Sequence, residues 1–372
     1  VRFLIAPDKF KGSATAAEVA EQIASGIRDV MGTPDIEIAP IADGGEGTAE
    51  VICAARGGEW ISCKARDAFG HLITARYVWL RDTNTAVMEM SEAAGMRRVS
   101  ERDPLRANTF GVGEMILDGA KRGAREIIVG LGGSATNDGG FGMARALGFQ
   151  FVDSADRELD WFNQSSSHQL IHIRKPAELS LPVIKAAVDV RNPLLGERGA
   201  TRVFGPQKGA APDQVVILED ALSRLADVVA RDLGCDFRNA PGAGAAGGLG
   251  FGLMSFCDAR ICWGFDLVAD AIELREKIAR ADVVVTGEGR LDAQTLEGKG
   301  PARVAELARQ SNKPVFAIVG EADESATAMF ERVFALVRSR IDRTSAIQNA
   351  SQLIRERARE FAHFYFDSEK AN

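Results

Sequence analysis

The sequence predicts an α/β fold in two domains, and three observations carry that reading. Its 372 residues exceed what one hydrophobic core usually organises. Short apolar runs alternate with helical periodicities near both ends of the chain, as in a parallel sheet. From about Glu59 the pattern changes to consecutive strands joined by short turns, which is antiparallel behaviour.

Taken in order, the elements support the partition. Arg2 to Ala6 is an apolar strand ended by Pro7-Asp8-Lys9. Thr15 and Glu18 have the spacing of a capping box, and Ala16, Val19, Ala20, Ile23, Ile27 and Val30 recur behind them at helical spacing. Pro34-Asp35 turns the chain into a second strand, Ile36 to Ala42, which runs into Asp43-Gly44-Gly45-Glu46-Gly47-Thr48 and another helix. Residues 59–66, 71–81 and 85–90 read as a meander, with Ile73, Ala75, Tyr77 and Trp79 on one face by period-two alternation. Phe110 to Arg122 reads as a helix, and Glu126 to Val129 as a strand entering the loop Gly130–Gly140, with a helix following from about Asn137 to Leu147. Val183 to Val188 is a strand ending at Asp189, and Val215 to Leu233 an amphipathic helix. Ala281 to Thr286, Val315 to Val319 and Arg332 to Val337 are apolar strands of the parallel-sheet type, and a helix from about Thr344 to Phe366 follows. The expected architecture is a discontinuous parallel domain of flavodoxin-like or Rossmann-like type from residues 1–60 and 265–372. A mixed α/β domain with antiparallel strands, residues 61–264, is inserted into it, and the active site is expected in the cleft between them.

Composition excludes several classes of function. Lys+Arg 45 against Asp+Glu 52 leaves a net charge of −7, with no basic block to suit nucleic acid or an anionic membrane. Hydrophobic content of 46% and charged content of 26% are ordinary globular usage, which excludes disorder for most of the chain. No apolar run is long enough to span a bilayer, and the first residues reach Pro7 and Asp8 too soon for a secretory signal. Cys53, Cys63, Cys235, Cys257 and Cys262 form no CxxC pair, so reduced thiols and a cytoplasmic location are expected.

The 38 glycines cluster in loops that follow strands, the zone where parallel sheets bind ligands. In Gly130–Gly140, small residues let backbone amides approach an anion, and Ser134, Thr136 and Asn137 add side-chain donors. A tight turn capped by Ser or Asn is the plainer alternative, but it rarely needs so many glycines. Gly298-Lys299 is followed by Gly300, with Ala293 where a first glycine should stand, so it is no Walker loop. Gly242 to Gly247 satisfies GxGxxG without a preceding strand and is better read as a second backbone-approach loop. Asp8, Asp43, Glu46, Asp138, Asp189, Glu288 and Asp292 lie in loops, where carboxylates suit Mg²⁺ beside phosphate oxygens. Helix capping is an alternative use of Asp138 and Asp43. Lys9, Lys11, Lys208 and Lys299 sit in or beside glycine-containing stretches, as a phosphate or carboxylate clamp requires, although any one of them alone reads as surface charge. His71, His168, His172 and His363 are scattered and suggest no histidine machinery. Anion-cradling glycines, acidic loops and lysines together suggest phosphoryl transfer.

Several long motifs carry a family likeness: Ala6 to Ser13, Ala42 to Thr48, Glu89 to Gly95, Thr109 to Glu114, Gly130 to Gly140, Asp189 to Leu194, Val203 to Ala210, Gly242 to Gly250 and Gly287 to Asp292. On these, in order over nearly the whole length, the chain resembles the bacterial type I glycerate kinases, also called glycerate 2-kinases. The resemblance implies phosphorylation of D-glycerate by ATP with Mg²⁺, at the 2-hydroxyl. One departure is the segment Asp160-Trp161-Phe162-Asn163-Gln164-Ser165-Ser166-Ser167, where a Pro-Gly-Gly turn is expected.

Under this reading Gly132, Gly133, Ser134, Ala135, Thr136 and Asn137, with Gly244, Gly247, Gly248 and Gly287, hold nucleotide or phosphates. Asp189, Asp292 and Lys9 are the expected catalytic residues, with Asp189 the base-like carboxylate. Asp8, Lys11, Asp43, Glu46, Arg191, Asn192 and Lys299 are expected around the substrate. Asp189, Glu288 and Asp292 are the expected metal ligands. D-glycerate and ATP are the expected partners of a monomer or homodimer. Transfer to the 3-hydroxyl, a kinase of another small hydroxy acid and an inert metabolite sensor are the alternatives.

Overall fold

The computed structural model describes residues 1–160, 168–292, 300–338 and 341–371. Lys299 and the divergent segment 161–167 lie outside the described residues. The chain forms two compact units, Val1–Asp43 with Phe265–Asn372, and Gly44–Gly264.

In the first unit, Arg2–Ile5, Asp35–Ile38, Val283–Thr286, Val315–Val319 and Arg332–Ala335 form one sheet with every pair parallel. Counted along the chain, these five strands stand in the order 2-1-3-4-5, so the direction of connection reverses between the first and third. Beyond the carboxyl ends of those two strands lies the crevice where such sheets bind ligands. Phe3, Leu4, Ile5 and Val283 to Val285 are fully buried, which explains their unbroken apolar runs.

The helix Ala16–Met31 starts as the sequence predicts. The Glu18 N–H donates to Thr15 Oγ1 at 3.2 Å, and the Thr15 N–H donates to Glu18 Oε2 at 2.8 Å. Val19, Ile23 and Ile27 share a core with Ile354 and Phe361 of the helix Ala350–Ala371. The single helix expected over residues 344–366 is two, Arg343–Gln348 and Ala350–Ala371, because Asn349 leaves helical geometry at φ −111°.

The second unit is built on six strands in the order Arg260–Trp263, Val183–Val188, Glu126–Gly130, Thr85–Glu89, Leu72–Leu80, Glu59–Arg66. The first four are parallel to one another, and the last two form an antiparallel hairpin at the edge. Strand Leu72–Leu80 alternates as predicted as far as Tyr77. From there Val78 and Leu80 are buried as well, and a Cβ at Gly58 would meet both side chains.

The break between the units falls at Asp43–Gly44, where the sequence reading put it near residue 60. The helix Thr48–Arg56 goes with the second unit. Glu89 Oε1 there accepts from the N–H groups of Gly47 at 2.9 Å and Ala49 at 3.1 Å, which satisfies donors that a helix start otherwise leaves unpaired. Among the described residues no helix is long and apolar enough to cross a membrane.

Candidate active site

The loop expected to hold phosphate begins where the strand Glu126–Gly130 ends. The Leu131 N–H donates to the Ala187 carbonyl at 2.9 Å, carrying the ladder one residue further. The Ala135 N–H donates to the Ala94 carbonyl at 2.9 Å, and the Gly133 carbonyl accepts from Met96 at 2.8 Å. Between these ties, the N–H groups of Gly132, Gly133 and Ser134 donate to no group among the described residues. Gly133 is left-handed at φ 66°. Successive N–H groups around such a residue form the concavity that takes anions. Ala135, by contrast, has its N–H engaged. Around the loop, Ser91 Oγ, Thr136 Oγ1 and Asn137 Oδ1 are buried without a hydrogen-bond partner among the described residues. Interiors rarely tolerate that unless a ligand or water completes the set.

Asp138 serves a different purpose. Its buried carboxylate accepts from the Thr109 N–H and Oγ1, both at 2.9 Å, from Gly142 N–H at 3.0 Å and from Gly140 N–H at 3.2 Å. Burial pushes its carboxyl upward, and these bonds oppose the shift. The helix expected from about Asn137 therefore starts at Phe141, with Asp138 satisfying its first turn. Of the two uses the sequence left open, the structure gives Asp138 the capping one.

The second glycine loop presses against the first. Ala246, Gly247 and Gly248 are left-handed within the segment Ala245–Cys257. The Gly139 N–H donates to the Gly247 carbonyl at 3.1 Å, and a Cβ on Gly247 would collide with the Thr136 carbonyl. On Gly248 it would lie 2.8 Å from the Gly139 Cα, and on Gly244 it would meet the Pro193 carbonyl. Backbone-to-backbone packing thus accounts for the missing side chains at Gly244, Gly247 and Gly248. Lys208 lies under the same junction. It is buried, its Nζ donates to the Thr136 carbonyl at 2.6 Å, and burial pushes its ammonium down to about 7 against the pull of Asp138.

Other predicted residues reach the same edge of this sheet. Gly130 pairs with Ala187, so Gly132 and Asp189 leave adjacent strands at equal distance past a paired position. A Cβ on Gly132 would lie 2.6 Å from the Gly45 Cα, and one on Gly133 would lie 3.7 Å from Glu46 Oε2. Glu46 Oε1 is 2.9 Å from the guanidinium of Arg97, which also reaches Glu92 at 2.5 Å and Glu89 at 3.8 Å. Burial pushes the Glu89 carboxyl up, while hydrogen bonds from Ala49 and Gly47 oppose it. Arg97 was not among the residues the sequence singled out. The pair Arg97-Arg98 directly behind the motif Glu89 to Gly95 was the available signal. Arg191 lies over the Trp263 ring at 4.6 Å. Asn192 holds a turn: its Nδ2 donates to the Arg198 carbonyl at 2.7 Å, and its own carbonyl accepts from Gly244 at 2.9 Å. A cavity of about 340 Å³ borders the helix Phe141–Ala146, where the guanidinium of Arg66 pairs with Glu114 and that of Arg145 with Asp160.

In the first unit, a second group of predicted residues gathers at the point where the strand order reverses. The Asp8 N–H donates to the Gly287 carbonyl at 2.8 Å, and Thr286 Oγ1 donates to the Ala6 carbonyl at 2.7 Å. Asp8 is buried, and its Oδ1 accepts from the Lys9 N–H at 2.6 Å. Lys9 Nζ is 3.9 Å from Asp43 Oδ1. A Cβ on Gly289 would lie 3.3 Å from the Lys11 nitrogen, and one on Gly287 would meet the Ile318 carbonyl. Glu288 and Asp292 are part-buried, with Asp292 at 3.5 Å from the Arg290 guanidinium. Among the described residues no three His, Cys, Asp or Glu side chains converge as a metal centre. A Mg²⁺ ion needs only one or two carboxylates beside phosphate oxygens and water, and the part-buried oxygens of Glu288 and Asp292 suit it.

Comparison with known proteins identifies the family and the fold. The profile of the glycerate kinase family matches residues 3–365. A glycerate kinase of Haemophilus influenzae is 40% identical over 361 residues, covering 95% of each chain. A glycerate 2-kinase of Escherichia coli is 42% identical over 325 residues, covering 86% of this chain and 85% of its own. A crystal structure from Salmonella typhimurium LT2, described as a candidate glycerate kinase 2, superposes with a TM-score of 0.85 at 39% identity, covering 100% of this chain and 99% of that one.

Proposed function

The chain belongs to the glycerate kinase family, and from that premise we propose that it transfers the γ-phosphoryl group of ATP to the 2-hydroxyl of D-glycerate. The products are 2-phosphoglycerate and ADP. The observation that best supports the reading is the run of N–H groups at Gly132, Gly133 and Ser134 that have no partner among the described residues, on a left-handed turn at the end of a parallel strand. Such a turn suits phosphate oxygens and supplies no acid or base of its own.

The remaining roles follow from charge. Asp189, exposed at the end of its strand, accepts the proton of the 2-hydroxyl as that oxygen bonds to phosphorus and the bond to ADP breaks. Lys9 and Lys11 offset the negative charge of the carboxylate or of the transferring group, with Lys299 as a third cation of the same kind. Asp8 and Asp43 orient Lys9, the first through its backbone and the second through its ammonium. Glu46 is held beside the phosphate turn by Arg97. Gly287 lets the chain pass the neighbouring strand, which sets Glu288 at the carboxyl edge. Glu288 and Asp292, with Asp189, are the carboxylates that would hold Mg²⁺, which supplies charge neutralisation on phosphate oxygens when bound. The proposed compartment is the cytoplasm, in keeping with five cysteines that are all free thiols.

Coupled ADP release over a panel of D-glycerate, L-glycerate and other small hydroxy acids, with and without Mg²⁺, tests the reading. The expected result is turnover that requires both D-glycerate and Mg²⁺. Turnover with another acid alone would reassign the substrate. Folded protein that binds glycerate yet releases no ADP would be a sensor.

A further inference from the structure

Lys208 lies in the turn Pro206–Lys208, between Gly205 and Gly209, where sequence suggests a clamp lysine or plain surface charge. It is 2% exposed. An ammonium carries three donors. Among the described residues its one hydrogen bond goes to the Thr136 carbonyl, at 2.6 Å. Burying a cation against a single neutral acceptor costs stability. The ionisable group acting on it is Asp138. On its own turn, the Gln207 carbonyl is engaged by the Arg102 guanidinium at 3.0 Å. The helix Ala200–Phe204 contributes Thr201, whose Oγ1 accepts from Asn137 Nδ2 at 2.9 Å, while its Arg202 pairs with Glu197. Two more buried oxygens at this junction, Thr136 Oγ1 and Asn137 Oδ1, have no partner among the described residues. The cation is thus set on the backbone of the loop whose N–H groups at Gly132 to Ser134 have no partner among the described residues.

We propose that Lys208 is a positioning residue for the anion site of the Gly130–Gly140 loop. Locked on the Thr136 carbonyl, its ammonium fixes the turn that presents the Gly132, Gly133 and Ser134 N–H groups and adds positive charge beside the phosphate they take. This inference rests on the phosphate reading of that loop. It explains why a charge that weakens the fold is kept in the interior: its return comes when an anion binds.

Calorimetric titration of the full chain with ATP, and separately with D-glycerate, compares wild type with Lys208→Met and Lys208→Arg. The Met variant is expected to melt no lower than wild type, because an apolar near-isostere replaces a buried charge. Its Kd for ATP should rise about tenfold or more. Its Kd for D-glycerate should not move, and the Arg variant should recover part of the ATP affinity. Unchanged ATP affinity in a folded Met variant overturns the proposal, and a lower melting temperature with unchanged affinity assigns Lys208 to packing alone.

A second measurement needs no altered side chain. In ¹³C-labelled wild type, one lysine Cε resonance should titrate near neutrality, and saturation with ATP should raise its midpoint by about one pH unit or more. A midpoint that ATP leaves in place also overturns the proposal. Wild type that binds ATP without phosphorylating glycerate removes the proposed function and leaves this inference standing. Wild type that phosphorylates glycerate while the Met variant binds ATP normally removes this inference alone.

Discussion

Asp138, on the loop Gly130–Gly140, and Lys208, in the turn Pro206–Lys208 beneath it, are both buried ionisable groups. Among the described residues Asp138 accepts four hydrogen bonds and staples the loop to Thr109, whereas Lys208 has one neutral acceptor. The consequence for stability has a definite sign. Unfolded, Lys208 keeps its proton up to its ordinary value of 10.5, and folded it releases the proton at about 7. Between those values the unfolded chain binds more protons, so this residue makes stability rise with pH across that window. Denaturant unfolding from pH 7 to 10 should show the slope in wild type and lose it in Lys208→Met; an identical slope in both would contradict the assignment. Gly133 gives a second prediction at this scale. Its φ of 66° makes Gly133→Ala cost roughly 1–2 kcal/mol of strain, seen as a lower Tm and a higher KM for ATP. An unchanged KM would show that the turn does not present donors to the nucleotide. The placement of Gly132, Ser134 and Asp189 past strand ends was legible, because each follows an apolar strand. Lys208 was named as a clamp lysine, but its burial and its bond to Thr136 were not legible, nor was Arg97, since pairing across 72 and 51 positions leaves no local trace in a sequence.

At the scale of elements, the strands were the most legible part. Unbroken runs such as Val283 to Val285 stand out because both of their faces are covered. Helix ends were less so: the start at Phe141 is set by a carboxylate that also serves Thr109, and the break comes where Asn349 leaves helical geometry. The capping box at Thr15 was fully local and was read correctly. Thr15→Ala should therefore cost about 1 kcal/mol in denaturant unfolding. A loss near zero would mean the helix is held by packing alone. That packing is tight, since a Cβ on Gly26 would lie 2.6 Å from the Ala358 Cβ and meet the Arg355 carbonyl. Helix propensity favours Ala over Gly by up to about 1 kcal/mol. Overpacking costs more, about 1–3 kcal/mol, so Gly26→Ala should lower Tm; a rise would show that the two helices can separate freely. The same helix pair is tied by Asp29, whose carboxyl Arg355 and Arg359 hold well below the usual carboxylate range. Its contribution is present above the ordinary value near 3.8 and is lost as pH falls below it.

For the whole molecule, the alternation of apolar runs and helical periods revealed two α/β units, one of them discontinuous. The limit near residue 60 followed a change in strand pattern, yet the break falls at Asp43–Gly44, and Glu89 ties the start of the helix Thr48–Arg56 to the second unit. No windowed pattern records a bond between residues 42 positions apart. Each unit carries its predicted residues at the carboxyl edge of its own sheet, the turn Gly132 to Ser134 with Asp189 in one and Asp8, Lys9 and Glu288 in the other. That arrangement is what a kinase relying on positioning and charge requires. Asp189→Asn, which keeps shape and removes charge, should lower kcat by at least about a hundredfold while ATP still binds; near-normal turnover would take Asp189 out of the mechanism. The central claim is tested most directly by ³¹P NMR of the reaction of wild type with ATP, Mg²⁺ and D-glycerate. The account predicts a growing 2-phosphoglycerate resonance matched by ADP. A 3-phosphoglycerate resonance, or ATP left intact by folded enzyme, would contradict it.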